Sequence, residues 1–560
     1  MSATAATTST EISPVRASWF PMLIIALAQI QMSFNVSALP VSVGGIVEDF
    51  NTSPTAVSTA LVIYSLAVAG LVMLGAKLGQ RYGARRAFQI GAAGHGVGML
   101  LMVFATSPSM IFAAQAVAGA AAALLVPALV VMIATHYQGK QQGQALGYLQ
   151  SAQAIAGVMA FLVAGALATA FGWRASYVLI CGIAVVVLFL SFRLKNVPAI
   201  PTIKIDWIGA VFIAVAMVLI SLGFDNLNRW GPITATDNAP VDLFGLSPAP
   251  LMIIIGVVFG QAFFYWQYQR VKKELSPLLA LETVDSGIKI SAVFCLLIIG
   301  SLGPAITFLI PLYIQIVQGR SEFQTSLALI PYSLSIFAAA FLSVRLFDRL
   351  TPRVIGTAGF AIVAIGLTFL AFVIQNEWNT ALVLVGLIVT GLGEGALLTL
   401  MFNIMVRTSP SRFAGDVGAL RGTANNLSNA VGTALAAVLV IGVLSANVSR
   451  DITYYSSISP ELVSAIDLNN VDFVSNDRLE STMTELNASP EDIVAAKALN
   501  ETARLRALKV SFLILAALAL LALVPSFLLP SRKLDEFDPN LRNSGNEPPR
   551  PDPVQATATS

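Results

Sequence analysis

Fourteen separate stretches of this chain stay apolar for roughly 20 residues, the length a helix needs to cross the hydrocarbon core of a bilayer. They run roughly over 20–44, 56–78, 86–106, 109–135, 143–170, 175–193, 206–224, 250–270, 287–317, 324–346, 354–374, 380–406, 420–446 and 508–529. In lipid every backbone N–H and C=O must bond within its own segment, so the stretches are helices and not strands of an open sheet. Only 11% of the 560 residues are charged and 56% are hydrophobic. A soluble domain carries roughly 25% charged residues, and its surface grows too fast with size to hide this much apolar area. The chain is therefore expected to be an all-α polytopic membrane protein. The first stretch is too long for a cleavable leader and lacks a small-residue cleavage site, so it reads as a retained helix.

The placement of lysine and arginine sets the orientation. With a cytoplasmic N-terminus, most of the 32 basic residues fall on the inside, among them Lys77, Arg81, Arg85 and Arg86, Arg270, Lys272 and Lys273, and Arg345, Arg349 and Arg353. Both termini are then inside, as an even helix count requires. Three segments read as lying outside the membrane. Residues 1–15 and the Pro-rich tail 531–560 have the composition of disordered ends. Residues 447–507 form a polar outer excursion with ten acidic residues. Its Ser-Pro-Glu sequences at 459 and 489 read as helix starts, with Ser as the cap and Pro at the first position. A small helical hairpin is expected there.

An internal repeat divides the chain. Residues 76–86 read Ala-Lys-Leu-Gly-Gln-Arg-Tyr-Gly-Ala-Arg-Arg, and residues 344–353 read Val-Arg-Leu-Phe-Asp-Arg-Leu-Thr-Pro-Arg. Each places Leu, then an amide or acid, then Arg, with another Arg four residues on: Gln80, Arg81, Gly83 and Arg85 in the first copy, Asp348, Arg349 and Arg353 in the second. The copies lie eight helices apart. This predicts an N-terminal six-helix half over 16–205, two inserted helices over 206–286, and a C-terminal half over 287–530. Repeated halves of this kind frame a central site that opens alternately to the two sides.

With these loops, the chain resembles the major facilitator superfamily, whose signature loop runs Gly-x-Leu-x-Asp-Arg-x-Gly-x-Arg. Four further stretches resemble its fourteen-helix drug:proton antiporter 2 branch: Asn-Val-Ser-Ala-Leu-Pro at 35–40, Gly-Trp-Arg at 172–174, Pro-Leu-Tyr-Ile-Gln-Ile-Val-Gln-Gly at 311–319, and Leu-Ala-Leu-Ile-Pro at 327–331. The resemblance implies a major facilitator fold in a cytoplasmic-type membrane and a proton-driven exporter of amphipathic small molecules. Several family positions have changed character. The signature Asp is Gln80, the helix 1 Asp is Gln31, and the helix 4 Arg is Gln115; the helix 5 Gly-Pro antiporter motif is replaced at Ala160-Phe161 and Ala164-Gly165.

A charged side chain at membrane depth is costly and marks function by default. Glu394, in Gly-Leu-Gly-Glu-Gly near the middle of helix 12, is the candidate for proton or ion coupling. Arg421 and Asp416, at the start of helix 13, fit an inner gate, and a positive-inside anchor explains Arg421 equally well. His95, between two glycines of helix 3, reads as a packing residue. Gln31 and Asn35 share one face of helix 1 by their i, i+4 spacing. With Gln115, Gln153, Gln315 and Asn403 they are the candidates for lining a substrate cavity. No phosphate loop, nucleotide fingerprint, metal cluster or nucleophile elbow is present, so no cofactor, metal, nucleic-acid partner or catalysis is expected. Cys181 and Cys295 both lie in apolar runs and offer no disulfide framework. Two other readings stay open at this point. One is a single-metabolite transporter without proton antiport, and the other a non-transporting receptor or scaffold that binds through the acidic excursion.

Overall fold

A computed structural model describes residues 17–51, 54–242, 244–320, 322–377, 380–451, 475–485 and 488–533. The terminal segments expected to be disordered therefore lie almost wholly outside the described residues. So does the stretch 452–474 of the acidic excursion, with the helix start at 459, Asp467 and Asp472.

Each of the fourteen apolar runs is a helix. They are α1 Phe20–Val41, α2 Pro54–Tyr82, α3 Ala84–Val103, α4 Pro108–His136, α5 Gly139–Phe171, α6 Arg174–Ser191, α7 Trp207–Trp230, α8 Pro248–Lys272, α9 Gly287–Val317, α10 Glu322–Leu346, α11 Pro352–Val373, α12 Thr380–Arg407, α13 Ala414–Asp451 and α14 Pro490–Leu521. All but α3 are long and apolar enough by composition alone to span a membrane. Arg85, Arg86 and His95 hold α3 below that mark, yet it packs between α4 and α6 as one of the bundle.

Local chemistry sets several starts. Ser107, Ser247 and Ser489 each accept a backbone N–H from the first turn of the helix that follows, with proline next in sequence. Proline lacks the N–H that would be orphaned there and supplies a helical φ. Gly83 adopts φ +95, which lets the chain turn sharply between α2 and α3. In lipid, close backbone approach and packing replace the hydrophobic drive between helices. Gly119 shows this where α4 crosses α2, because a Cβ there would lie 2.5 Å from the Tyr64 carbonyl oxygen.

The N-terminal half is α1–α6 and the C-terminal half α9–α14. They meet where α5 lies against α10, and where α13 lies against α2 and α4. The inserted pair α7–α8 packs on itself, and α7 rests on α2 and α13 at that seam. Where the Gly-Pro motif of helix 5 is missing, α5 carries one π-helical turn, Ala160–Ala164. The turn forms here without a proline, and π-turns of this sort are frequent at functional positions. A second π-turn, Leu312–Val317, ends α9 after Pro311.

The polar excursion differs from the expected hairpin in its boundaries. The Ser489 start is as read, with Ser489 capping Asp492 N at 3.1 Å, but the helix it opens runs on unbroken as α14. The α13 helix likewise begins six residues before its apolar run and ends five beyond it. Hydropathy marks the bilayer, not where a helix must stop. A short helix, Asn476–Glu485, lies on the α14 extension through Lys497–Glu480 at 2.6 Å, Asn500–Asn476 at 3.0 Å and Arg504–Asn476 at 3.1 Å. At the same end of the N-terminal half, Trp173 donates to Asp49 at 2.7 Å and Arg174 pairs with the same carboxylate. The indole and guanidinium donors hold Asp49 below the usual carboxylate range.

Candidate substrate cavity and gate

Between the halves lie two adjoining cavities, or lobes, each of about 260 Å³. Gln153 of α5, with Arg421 and Asn425 of α13, belongs to both walls. One lobe reaches into the C-terminal half among Gly303, Thr307, Tyr332, Ser333 and Glu394. The other is bounded by Gln29, Ser33 and Ser37 of α1, Tyr64 and Ser65 of α2, and Asn429 of α13.

Glu394 is 6% exposed, and its Oε2 accepts the hydroxyl hydrogen of Tyr332 from α10. Its other oxygen fills a notch that Gly303 of α9 leaves open, since any Cβ at 303 would run into Oε1. The carboxyl is the far end of a flexible side chain and can swing away from such a Cβ only by giving up its bond to Tyr332, a loss of about 1–3 kcal/mol. Gly303→Ala is therefore expected to lower the melting temperature of the purified protein, and to cost nothing in a Glu394→Ala background. A cost that is the same in both backgrounds would refute the notch.

Arg421 is buried in the middle of the seam. Its Nη2 donates to Gln150 Oε1 and, at 3.0 Å, to Gln153 Oε1, while the guanidinium lies 4.6 Å from the Phe402 ring centroid. The expectation of an anchor or gate at the membrane boundary is corrected here. Because α13 starts at Ala414, position 421 is two turns deep and its side chain meets α5, not the surface.

The candidate gate is built from Asp416 instead. This carboxylate is fully buried and receives Lys77 Nζ at 3.0 Å, Gln80 Nε2 at 3.1 Å and the Ala280 backbone N–H at 3.2 Å. Gln80 also accepts from Lys77 at 3.2 Å, so its amide bridges base and acid. An aspartate at 80 would face Asp416 as a like charge. The amide at 80 therefore fits a chain that carries its buried acid at the start of α13. Ala280 brings in the segment after the inserted helices, with Leu278 and Leu279 buried beside it. Two further ties join the halves at this end: Lys140 pairs with Asp348, and Arg407 donates to the Gly139 carbonyl at 3.1 Å. A cavity of about 420 Å³ between Gly79, Gln80, Pro127, Thr135 and Gly415 lies next to the gate.

The remaining loop residues hold their own half. Arg85 donates to the Phe192 carbonyl at 2.5 Å, and Arg353 donates to Leu529 O at 3.3 Å. Arg81 lies over Tyr82, and Arg349 is exposed.

Of the amides expected on the cavity wall, Gln153 is there. Gln31 is not: it is fully buried against α3, donating to His95 Nδ1 at 3.0 Å and to Ala92 O at 3.3 Å. Asn35 and Gln115 are also off the wall, paired with each other at 3.0 and 3.2 Å. The α1 face that meets the cavity carries Gln29, Ser33 and Ser37, a neighbouring i, i+4 row. Gln315 sits in the π-turn of α9, half-buried and away from both lobes. Asn403 is buried near the gate, donating to Thr399 O of its own helix at 2.9 Å. Tyr332 and Gly303 are not picked out from the sequence, and Lys77 only as one of the basic residues that set the orientation. Only Lys77 carried a signal, three residues before Gln80 on one helical face.

Comparisons with known proteins agree with this architecture. The sequence profile of the Major Facilitator Superfamily matches residues 25–433. The multidrug efflux pump LfrA of Mycolicibacterium smegmatis is 27% identical over 79% of this chain and 84% of its own length. A probable actinorhodin transporter of Streptomyces coelicolor is 25% identical over 78% and 75%. The cephamycin export protein CmcT of Amycolatopsis lactamdurans is 24% identical over 74% and 83%. Among solved structures, the proton:xylose symporter XylE superposes with a TM-score of 0.55 at 13% identity, covering 93% of this chain and 98% of that one. Human MFSD10 gives 0.54 at 11% identity over 90% and 99%. The match spans well over half the chain, and the chain belongs to the major facilitator superfamily, multi-pass membrane transporters that take small-molecule substrates and are not enzymes.

Proposed function

We propose that this protein exports amphipathic small molecules from the cell by alternating access between its two halves, with protons carried on Glu394. The observation that carries the reading is one ionisable carboxyl, held by Tyr332, on the wall of the cavity between the halves. Buried acids within a membrane typically serve as proton relays. A mixed wall of amides, hydroxyls and apolar groups suits molecules with both polar and apolar parts. The efflux and antibiotic-export relatives support the direction. The excess of Lys and Arg in the signature loops supports a cytoplasmic location for that end and for both termini. The Lys77–Asp416 and Lys140–Asp348 ties then seal the cytoplasmic side.

The test is expression in a host lacking its own efflux pumps, with extrusion followed for amphipathic dyes of either charge. Extrusion should exceed the empty-vector rate and stop when a protonophore is added. Retention equal to the vector control for every dye would overturn the proposal.

A further inference from the structure

We infer that Arg421 is an anion-binding residue, and that the preferred substrates are amphipathic organic anions bearing a carboxylate, sulfonate or phosphate group. The inference deepens the export reading and rests on it for its transport consequence only.

Three observations converge on the side chain. A guanidinium never loses its charge in a protein, and a buried charge costs several kcal/mol unless it is paired. Yet no carboxylate among the described residues pairs with Arg421. Its acceptors are two neutral amide oxygens, from Gln150 and Gln153, and both bonds use Nη2 alone. Second, Nε and Nη1 have no acceptor among the described residues, and neither is sealed inside the wall as an orphaned donor. Two of its three nitrogens are thus left to the cavity. Third, Arg421 is common to both lobes, so a molecule in either meets it. Glu394 is the one acid on the described walls of the two lobes, and Tyr332 engages it. The lobe of α1, α2 and α13 offers only uncharged partners around the guanidinium: Gln29, Ser33, Ser65, Asn425, Asn426 and Asn429.

Amide oxygens hold a guanidinium in place without neutralising it. An arriving anion supplies the charge they lack through charge-assisted hydrogen bonds, roughly twice as strong as neutral ones. The Phe402 ring backs one face of the guanidinium from inside the protein, and Met32, Val36, Val68 and Val126 of the same lobe continue the site as an apolar surface. Charged head and apolar body are thus received side by side, which is what an amphipathic anion presents. A cationic amphiphile in the same place would meet like charge in a poorly solvated space.

The experiment uses the full chain in nanodiscs of neutral lipid, with empty discs as the blank. Binding of fluorescein, an anion, and of ethidium, a cation, is read by anisotropy. Fluorescein is expected to bind at least tenfold more tightly than ethidium. Hydrogen bonds to charged groups are worth roughly 1.5–3 kcal/mol, so Arg421→Gln should weaken fluorescein by about tenfold to a hundredfold. Arg421→Lys should keep part of that affinity, and neither variant should weaken ethidium. Tighter binding of ethidium by the wild-type protein, or fluorescein affinity unchanged within twofold in Arg421→Gln, overturns the inference. If Arg421→Gln does not fold, the wild-type preference and the Lys variant decide it. Fluorescein bound but not moved in proteoliposomes sinks the export reading and leaves this one standing. Ethidium extruded without fluorescein binding does the reverse.

Discussion

Glu394→Gln should end proton-driven accumulation while leaving the cavity intact. The substitution keeps an acceptor for the Tyr332 hydroxyl and nearly the same volume beside Gly303, so the notch and its hydrogen bond persist. What it removes is the capacity to take up and release a proton. If one proton moves per substrate molecule, a gradient of one pH unit supplies about 1.4 kcal/mol and supports about tenfold accumulation. In proteoliposomes with such a gradient, the Gln variant should bring the tracer ratio to about one. Downhill exchange of labelled for unlabelled substrate should continue, because it needs the conformational cycle but no net proton movement. Accumulation that survives in Glu394→Gln would place coupling elsewhere. Tyr332→Phe is the control, since it removes the phenol and keeps the acid, and it should still accumulate substrate.

The gate carries the second large effect. Breaking a buried ion pair by removing one partner costs roughly 3–5 kcal/mol, because the other charge stays buried alone. On the proposed alternating-access cycle the Lys77–Asp416 pair, which joins the two halves, breaks when the signature-loop end opens, so Asp416→Asn should raise the energy of the closed state alone. A change of this size shifts the population between the two access states by roughly a hundredfold to five-thousandfold. The readout is a cysteine at Ser65, on the lobe away from the gate, with Cys181 and Cys295 replaced by Ser. A membrane-impermeant maleimide added from the side opposite the signature loops should label Ser65→Cys readily in the parent and at least tenfold more slowly with Asp416→Asn. Lys77→Met alone should act in the same direction. The double change Lys77→Met with Asp416→Leu should restore much of the labelling, since apolar packing replaces a buried pair at little cost. Equal labelling rates in all of these proteins would show that the pair does not gate.

Much of this was legible before any coordinates, for physical reasons that also explain the misses. Lipid demands length and hydropathy, so all fourteen helices could be read from runs of apolar residues, α3 included. Glu394 stood out because a carboxylate inside an apolar run is costly, whether it couples to protons or is simply paired with a buried partner. Gln31 and Asn35 went astray for a different reason. Spacing shows which residues share a face of α1, but in a membrane helix both faces are apolar enough that nothing says which one meets the cavity. The row Gln29, Ser33, Ser37 was equally regular. Arg421 was misplaced by the boundary: the apolar run starts near 420, whereas the helix starts at Ala414. Six residues move the guanidinium from the rim to the middle. Asp416 was read as a gate residue, but its partners come from more than 130 and 330 positions away, and no local pattern announces them.

The long α13 has a mechanical consequence. It is a single rod of 38 residues, roughly 57 Å at 1.5 Å per residue. On it, in order, ride the latch acid Asp416, the guanidinium of Arg421 and the asparagines of the far lobe. Such a rod has no joint at which one of these could move independently of the others. Pivoting near its centre by about 10° would swing each tip by roughly 5 Å, withdrawing Asp416 from Lys77 as the far end closes over the bound molecule. Unlatching, reorientation of the binding charge and occlusion at the opposite mouth are then one stroke of one lever.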